Sequence, residues 1–146
     1  MQGDCRDSER CSKQALIEIE PFDLKAHYST VAKWWFQHSG EVLEFALLPK
    51  TGFIAFKEGT PICACFLLLT NSAMSIISYV VSSPAASNRD IAKGFDRLIE
   101  HCDGMSRMLG TKFLLSVSTS VGFSKKLKRR FGFTGWRLHE LVFKKL

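Results

Sequence analysis

The sequence predicts an α+β fold of α/β/α layers, with one mixed, mainly antiparallel sheet flanked by helices. Three observations lead there. The apolar spacing is helical over 24–48, alternating and β-branched over 52–82, and helical again over 90–109. The central stretch breaks into three segments, 52–56, 61–70 and 74–82, separated by turn-forming clusters at the spacing of an antiparallel meander. With 146 residues, 46% of them apolar, the chain is long enough to bury one core and too short for several domains.

Residues 1–14 mix both charge signs with almost no apolar side chains, which predicts a flexible tail ahead of a single domain over 15–146. Leu16 to Glu20 alternates and runs into Pro21, a first strand. Leu24, Tyr28, Val31, Trp34 and Trp35 recur at three and four residues, giving a helix with one buried face that Ser39-Gly40 ends. Glu41 to Leu48 predicts a second, shorter helix stopped by Pro49. In the third central strand, Met74, Ile76, Ser78, Val80 and Ser82 are expected on one face, with Ile77, Tyr79 and Val81 on the other. Asn71, in the turn before it, is expected to adopt left-handed backbone or to bond its own chain. Asp90 to Leu109 returns to helical spacing, is interrupted at Gly104 and closes at Gly110. Phe113 to Val117 predicts a buried strand, Phe123 to Phe131 a basic helix, and 132–136 and 139–143 the last two strands.

The longest apolar run, Ile62 to Leu69, falls far short of the roughly 20 residues that cross a bilayer. The first residues lack the apolar centre of a secretory signal, so a cytoplasmic protein with no membrane partner is expected. Five cysteines are an odd number in a chain that needs no covalent staple, and they read as reduced thiols. Cys63-x-Cys65 has no second cysteine pair to complete a zinc site, so no metal is expected. Charge is uneven: residues 1–106 carry 10 basic and 13 acidic side chains, residues 107–146 carry 10 basic and one acidic. The basic end suits an anionic cofactor, a nucleic acid or plain solvation alike.

Candidate chemistry gathers after the third central strand. Val80-Val81-Ser82 leads through Ser83-Pro84 to Arg89-Asp90-Ile91-Ala92-Lys93-Gly94 at the start of the long helix. Unpaired amides at a helix start, approached closely past small residues, suit a phosphate; the competing reading is that Ser87 or Asn88 caps the helix while Ala92 and Gly94 pack on the sheet. This loop, Arg89-x-x-Ala92-x-Gly94, resembles the phosphate loop of the GNAT (acyl-CoA N-acyltransferase) superfamily, with Ala92 in place of the first glycine. A second match follows in order: an apolar strand Phe113-Leu-Leu-Ser-Val-Ser118, a helix, then Phe131-Gly-Phe133. Trp34-Trp35, His38, Leu48-Pro-Lys-Thr-Gly52, Gly59-x-Pro61, Leu69-Thr-Asn-Ser72 and Val81-Ser-x-Pro84 are similar to small bacteriophage-encoded members, which would place the protein in a host cytoplasm.

The resemblance implies a GNAT-like fold over 16–146 and acetyl-CoA as cofactor. Its pyrophosphate would sit at Arg89 to Gly94 and its pantetheine arm on the backbone of Val80, Val81 and Ser82. Ser116, Ser118 and Ser120 alternate on one face, as cleft-lining hydroxyls or as small residues in simple packing or edge exposure. The activity implied is acetyl transfer to an amine, from a protein, a nucleic-acid base or a small molecule. Where many members carry a tyrosine as proton donor to the leaving thiolate, this chain has Lys128, within the run Lys125, Lys126, Lys128, Arg129, Arg130 that also reads as a solvated face. His38, Glu41 and Glu44 fall in the region that would line the acceptor site; an imidazole suits proton transfer, while a histidine beside Ser39-Gly40 also reads as an ordinary helix-end residue. The competing function is a catalytically inactive binding protein on the same fold, using its basic face for nucleic acid or another anionic partner. A homodimer through 138–143 is a further expectation.

Overall fold

The computed structural model describes residues 16–117 and 121–135, which fall into two compact units parting between Ser116 and Val117. In the first, β1 (Ile17–Pro21) leads into α1 (Leu24–Ser39), whose start is capped by Asp23 accepting the Ala26 amide at 2.8 Å. Gly40, at φ 73°, ends the helix by returning its amide to the Phe36 carbonyl. Strands β2 (Thr51–Lys57), β3 (Thr60–Leu69) and β4 (Met74–Ser82) form the meander, and Glu58 and Gly59 turn the first hairpin with both φ angles positive. The 21-residue α2 (Asn88–Met108) and the short β5 (Phe113–Ser116) complete the unit.

The sheet order is β1-β2-β3-β4-β5, antiparallel throughout except for the parallel pair β4–β5. This is the mixed, mainly antiparallel α+β sheet the sequence predicts. Val31 and Trp34 of α1 pack with Ile54, Ala64, Phe66 and Val81 on one face. On the other, α2 sets Gly94 against Cys63 and Cys102 against Cys65. Burying these apolar side chains on both faces contributes about 1.5–3 kcal/mol for each large one.

Five local expectations in this unit are corrected. Strand β5, expected to be buried, is an edge strand of the described sheet, with Phe113 68% exposed and its other three residues half-buried. The helix expected over 41–48 is a single 3-10 turn, Phe45–Leu47, because only Leu43 of that stretch is buried and little apolar surface supports further turns. Helix α2 runs unbroken through Gly104 and ends in a Schellman closure, with Gly110 at φ 76° and the Thr111 amide on the Ser106 carbonyl. Asn71 is not left-handed; the Thr70 hydroxyl holds that turn, donating to the Met74 carbonyl at 2.6 Å and accepting the Ser72 amide. The alternation expected along β4 breaks at Tyr79, as described below.

In the second unit, the described residues form α3 (Val121–Phe131) and its exit over 132–135. The strand expected from Gly132 is irregular there: Gly132 takes φ 72° and the Phe133 amide turns back to the Leu127 carbonyl, a helix closure rather than a ladder. The tail over 1–14 and the strand over 139–143 lie outside the described residues, as do Ser118 and Ser120.

Candidate functional site

β4 pairs with β5 only from Met74 to Ile77, so Ser78–Ser82 has no β5 partner among the described residues. Opposite the single residue Cys65, β4 carries two, Tyr79 and Val80, and Tyr79 adopts φ 47°. A bulky side chain in the left-handed region costs about 1–3 kcal/mol and persists only where packing holds it. Here the Tyr79 ring lies 5.5 Å from Trp35 and 6.3 Å from Phe66. The extra residue reverses the phase of the strand: Ile77 faces α2 beside Leu67, whereas Val81 pairs with Ala64 and joins the α1 core. The two had been expected on one face.

Beyond the bulge the ladder resumes, with the Ser83 amide on the Ile62 carbonyl at 2.8 Å. Antiparallel alternation then turns Val81's polar groups toward Ala64 and those of Ser82 away from β3, to the side β5 has left. His38 reaches this edge from the last turn of α1, its Nε2 2.9 Å from the Ser82 carbonyl. A carbonyl only accepts, so Nε2 carries the proton and the neutral ring keeps its basic lone pair on Nδ1. Two side-chain hydroxyls lie near the end of the β4–β5 pairing, Ser78 Oγ on β4 and Ser116 Oγ on β5, both buried without a hydrogen-bond partner among the described residues. Ser78 and Tyr79 were invisible as site residues because alternation treats them as ordinary strand positions.

The start of α2 resolves one ambiguity. Ser87 is the cap, accepting the Asp90 amide at 3.2 Å, and the amides of Asn88 and Arg89 have no helical carbonyl ahead of them. Arg89 and Ala92 are exposed, Ile91 and Lys93 half-buried. Gly94 instead faces the sheet: a Cβ there would stand 2.5 Å from Cys63 Sγ and 3.0 Å from Ile62 Cδ1. Its place in the motif therefore reflects close helix–sheet packing. Asp90 would oppose an anion, but Lys57 of β2 pairs with it at 2.9 Å. Hydrogen bonds from Lys57 and from Ser87 hold the Asp90 carboxyl below the ordinary aspartate range. Lys57 was not singled out from sequence, since only the fold brings it 33 positions forward.

The remaining candidates divide. Glu41 and Glu44 are exposed, in the stretch that follows His38. In the second unit Lys128 lays its side chain over Gly135. Cys63, Cys65 and Cys102 are buried and not disulfide-bonded, with the sulfurs of the last two 3.6 Å apart. The Cys102 hydrogen bond, then burial, pushes the Cys65 thiol well above its ordinary range, which suits an inert core residue. Among the described residues the geometry offers a backbone edge for an extended chain, a helix start for an anion and an imidazole at the Ser82 end of that edge.

No protein-family model matches the sequence, and no curated protein does. Solved structures do. A putative acetyltransferase from Agrobacterium tumefaciens str. C58 superposes with a TM-score of 0.66 at 14% identity, over 87% of this chain and 99% of its own. AAC(6')-Iy, in complex with the bisubstrate analogue CoA-S-monomethyl-acetylneamine, gives 0.64 at 17% identity, over 90% and 99%. An aminoglycoside acetyltransferase from an uncultured soil metagenomic sample, in complex with sisomicin, gives 0.60 at 13% identity, over 89% and 96%. The chain has the fold of the GNAT acetyltransferases. No helix among the described residues is long and apolar enough to cross a membrane.

Proposed function

We propose that the protein is an acetyl-CoA-dependent N-acetyltransferase in which an amine attacks the acetyl thioester directly. The observation that carries this reading is the bulged end of β4, unpaired with β5 among the described residues, followed within a few residues by a helix start whose first amides have no helical carbonyl ahead of them. Acetyl-CoA supplies the activated acetyl group. For holding it, Val80 and Ser82 offer backbone on the open side of β4, Asn88 and Arg89 offer amides, and Ala92 leaves the approach unobstructed. Lys57 neutralises Asp90, the acidic group closest to that helix start in sequence, so the local charge favours an anion. His38 Nδ1 accepts the proton the amine must lose, and Glu41 and Glu44 draw in a cationic acceptor. The motifs shared with small bacteriophage-encoded GNAT members support placing the chain, and its site of action in the cytoplasm, with that subgroup.

Calorimetric titration with coenzyme A is the direct test. Saturable binding is expected, and Ala92→Glu should weaken it by about tenfold through charge repulsion while leaving the melting temperature nearly unchanged, since Ala92 is exposed and glutamate is a good helix former. No saturable heat from the folded wild type overturns the cofactor assignment. With cofactor bound, His38→Gln should lower turnover by about 10²-fold, the usual worth of a positioned base, with coenzyme A affinity retained.

A further inference from the structure

We propose that residues 36–47 form the acceptor-docking surface and that the acceptor is a polypeptide presenting its amine among apolar residues; this rests on the transferase reading above. Four of the large apolar side chains exposed among the described residues fall within these twelve positions: Phe36, Val42, Phe45 and Leu47, at 53–73% exposure. Scattered exposed apolar residues are ordinary, whereas four within twelve consecutive positions beside a structured turn suit a surface that a partner covers. The same stretch carries Glu41 and Glu44, both exposed, and no basic side chain apart from His38. Its chemical complement is cationic and apolar at once.

The surface is held in shape before any partner arrives. Tyr28 donates to the Leu43 carbonyl at 2.7 Å, its ring meets Phe45 edge-on at 5.9 Å, Leu43 is buried, and the Ser39 hydroxyl closes back on Trp35. An ordered surface loses less entropy on binding. It is also placed for the chemistry: His38, two residues from Phe36 and three from Glu41, bonds the Ser82 carbonyl on the open edge of β4. The eleven exposed residues of this stretch, all but Leu43, exceed what a small polar amine covers, and they suit a peptide that spreads apolar side chains on either side of a lysine or an amino terminus. Residues 1–14 of this chain, almost devoid of apolar side chains, lack the matching chemistry, whereas residues 136–146 are basic and apolar. A fourth peptide of that sequence therefore joins the test below, and its binding more tightly than the apolar lysine peptide would overturn the proposal.

Fluorescence anisotropy on the full chain decides it, with three labelled peptides of equal length: a lysine among Leu and Phe, a lysine among Ser and Gly, and a glutamate among Leu and Phe. The first is expected to bind at least about tenfold more tightly than either other. Val42→Ser with Leu47→Ser should erase that preference at an unchanged melting temperature; should the double variant melt early, Glu41→Gln with Glu44→Gln should erase the preference over the glutamate peptide. Equal binding of the polar lysine peptide, a preference surviving in these variants, or a wild-type dimer that the apolar variant converts to monomer overturns the proposal. Peptide binding needs no cofactor, so the two readings fail distinguishably: coenzyme A binding without peptide preference removes the docking surface alone, and peptide preference without coenzyme A binding removes the transferase and with it the role of the peptide as acceptor.

Discussion

Two glycines of α2 differ by what a single methyl group would meet. At Gly94 it meets Cys63 and Ile62, both buried in β3, so Gly94→Ala should destabilise the protein by about 1–3 kcal/mol. At Gly104 it meets nothing within 4 Å, so Gly104→Ala should stabilise by about 0.5–1 kcal/mol through helix entropy alone. Urea denaturation of the two variants reads both signs. The sequence held two readings of Gly94, anion approach and sheet packing, and could not separate them, because a residue without a side chain carries no sign of which way it faces. Asp90 makes a pH-dependent prediction. Its pKa is lowered in the fold, so the ionised carboxylate adds stability above the ordinary aspartate value of about 3.9, and that stability is lost as pH falls through the lowered one. Asp90→Asn should therefore unfold more easily than wild type at pH 7, and the gap should close in acid, as denaturation midpoints across pH would show.

Strand β4 was legible in its limits and not in its phase. Met74 to Ser82 follows from its β-branched residues and flanking turns, but period-two reasoning cannot see an inserted residue that depends on Trp35 and Phe66 for support. The bulge predicts a reversal of ordinary strand preference. Tyr79→Gly should be more stable than Tyr79→Val by about 1 kcal/mol or more, although valine is the better strand former, since only glycine adopts φ 47° without strain; thermal melts of both variants give the order. Helix α3 was legible as a basic helix, with Lys128 at the position of a proton donor in the family it resembles. Its side chain lies over Gly135. Lys128→Met should accordingly cost less than tenfold in turnover, below about 1.4 kcal/mol of transition-state stabilisation, and a hundredfold loss at unchanged cofactor affinity would restore it as an acid.

Over the whole molecule the charge is lopsided, with 10 basic and one acidic residue in the last forty positions. If that end serves a nucleic acid, binding should be tight and fall steeply with salt as counterions are released. The expected outcome is weak binding of single and double strands near 0.15 M salt, since one short helix supplies few phosphate contacts; anisotropy with a Lys125, Lys126, Arg129, Arg130 charge-removal variant tests it, and submicromolar binding lost in the variant would favour a nucleic-acid partner. The sequence by itself determined the α+β class, the meander, both long helices and the charge asymmetry. Each of these follows from local spacing and composition, which the chain carries wherever it folds. The tertiary structure alone decided that Gly94 serves packing, that Lys57 answers Asp90, that His38 meets the Ser82 carbonyl and that β4 is bulged. These are contacts between segments tens of residues apart, and whether a side chain faces a partner or solvent is settled only once both segments are in place.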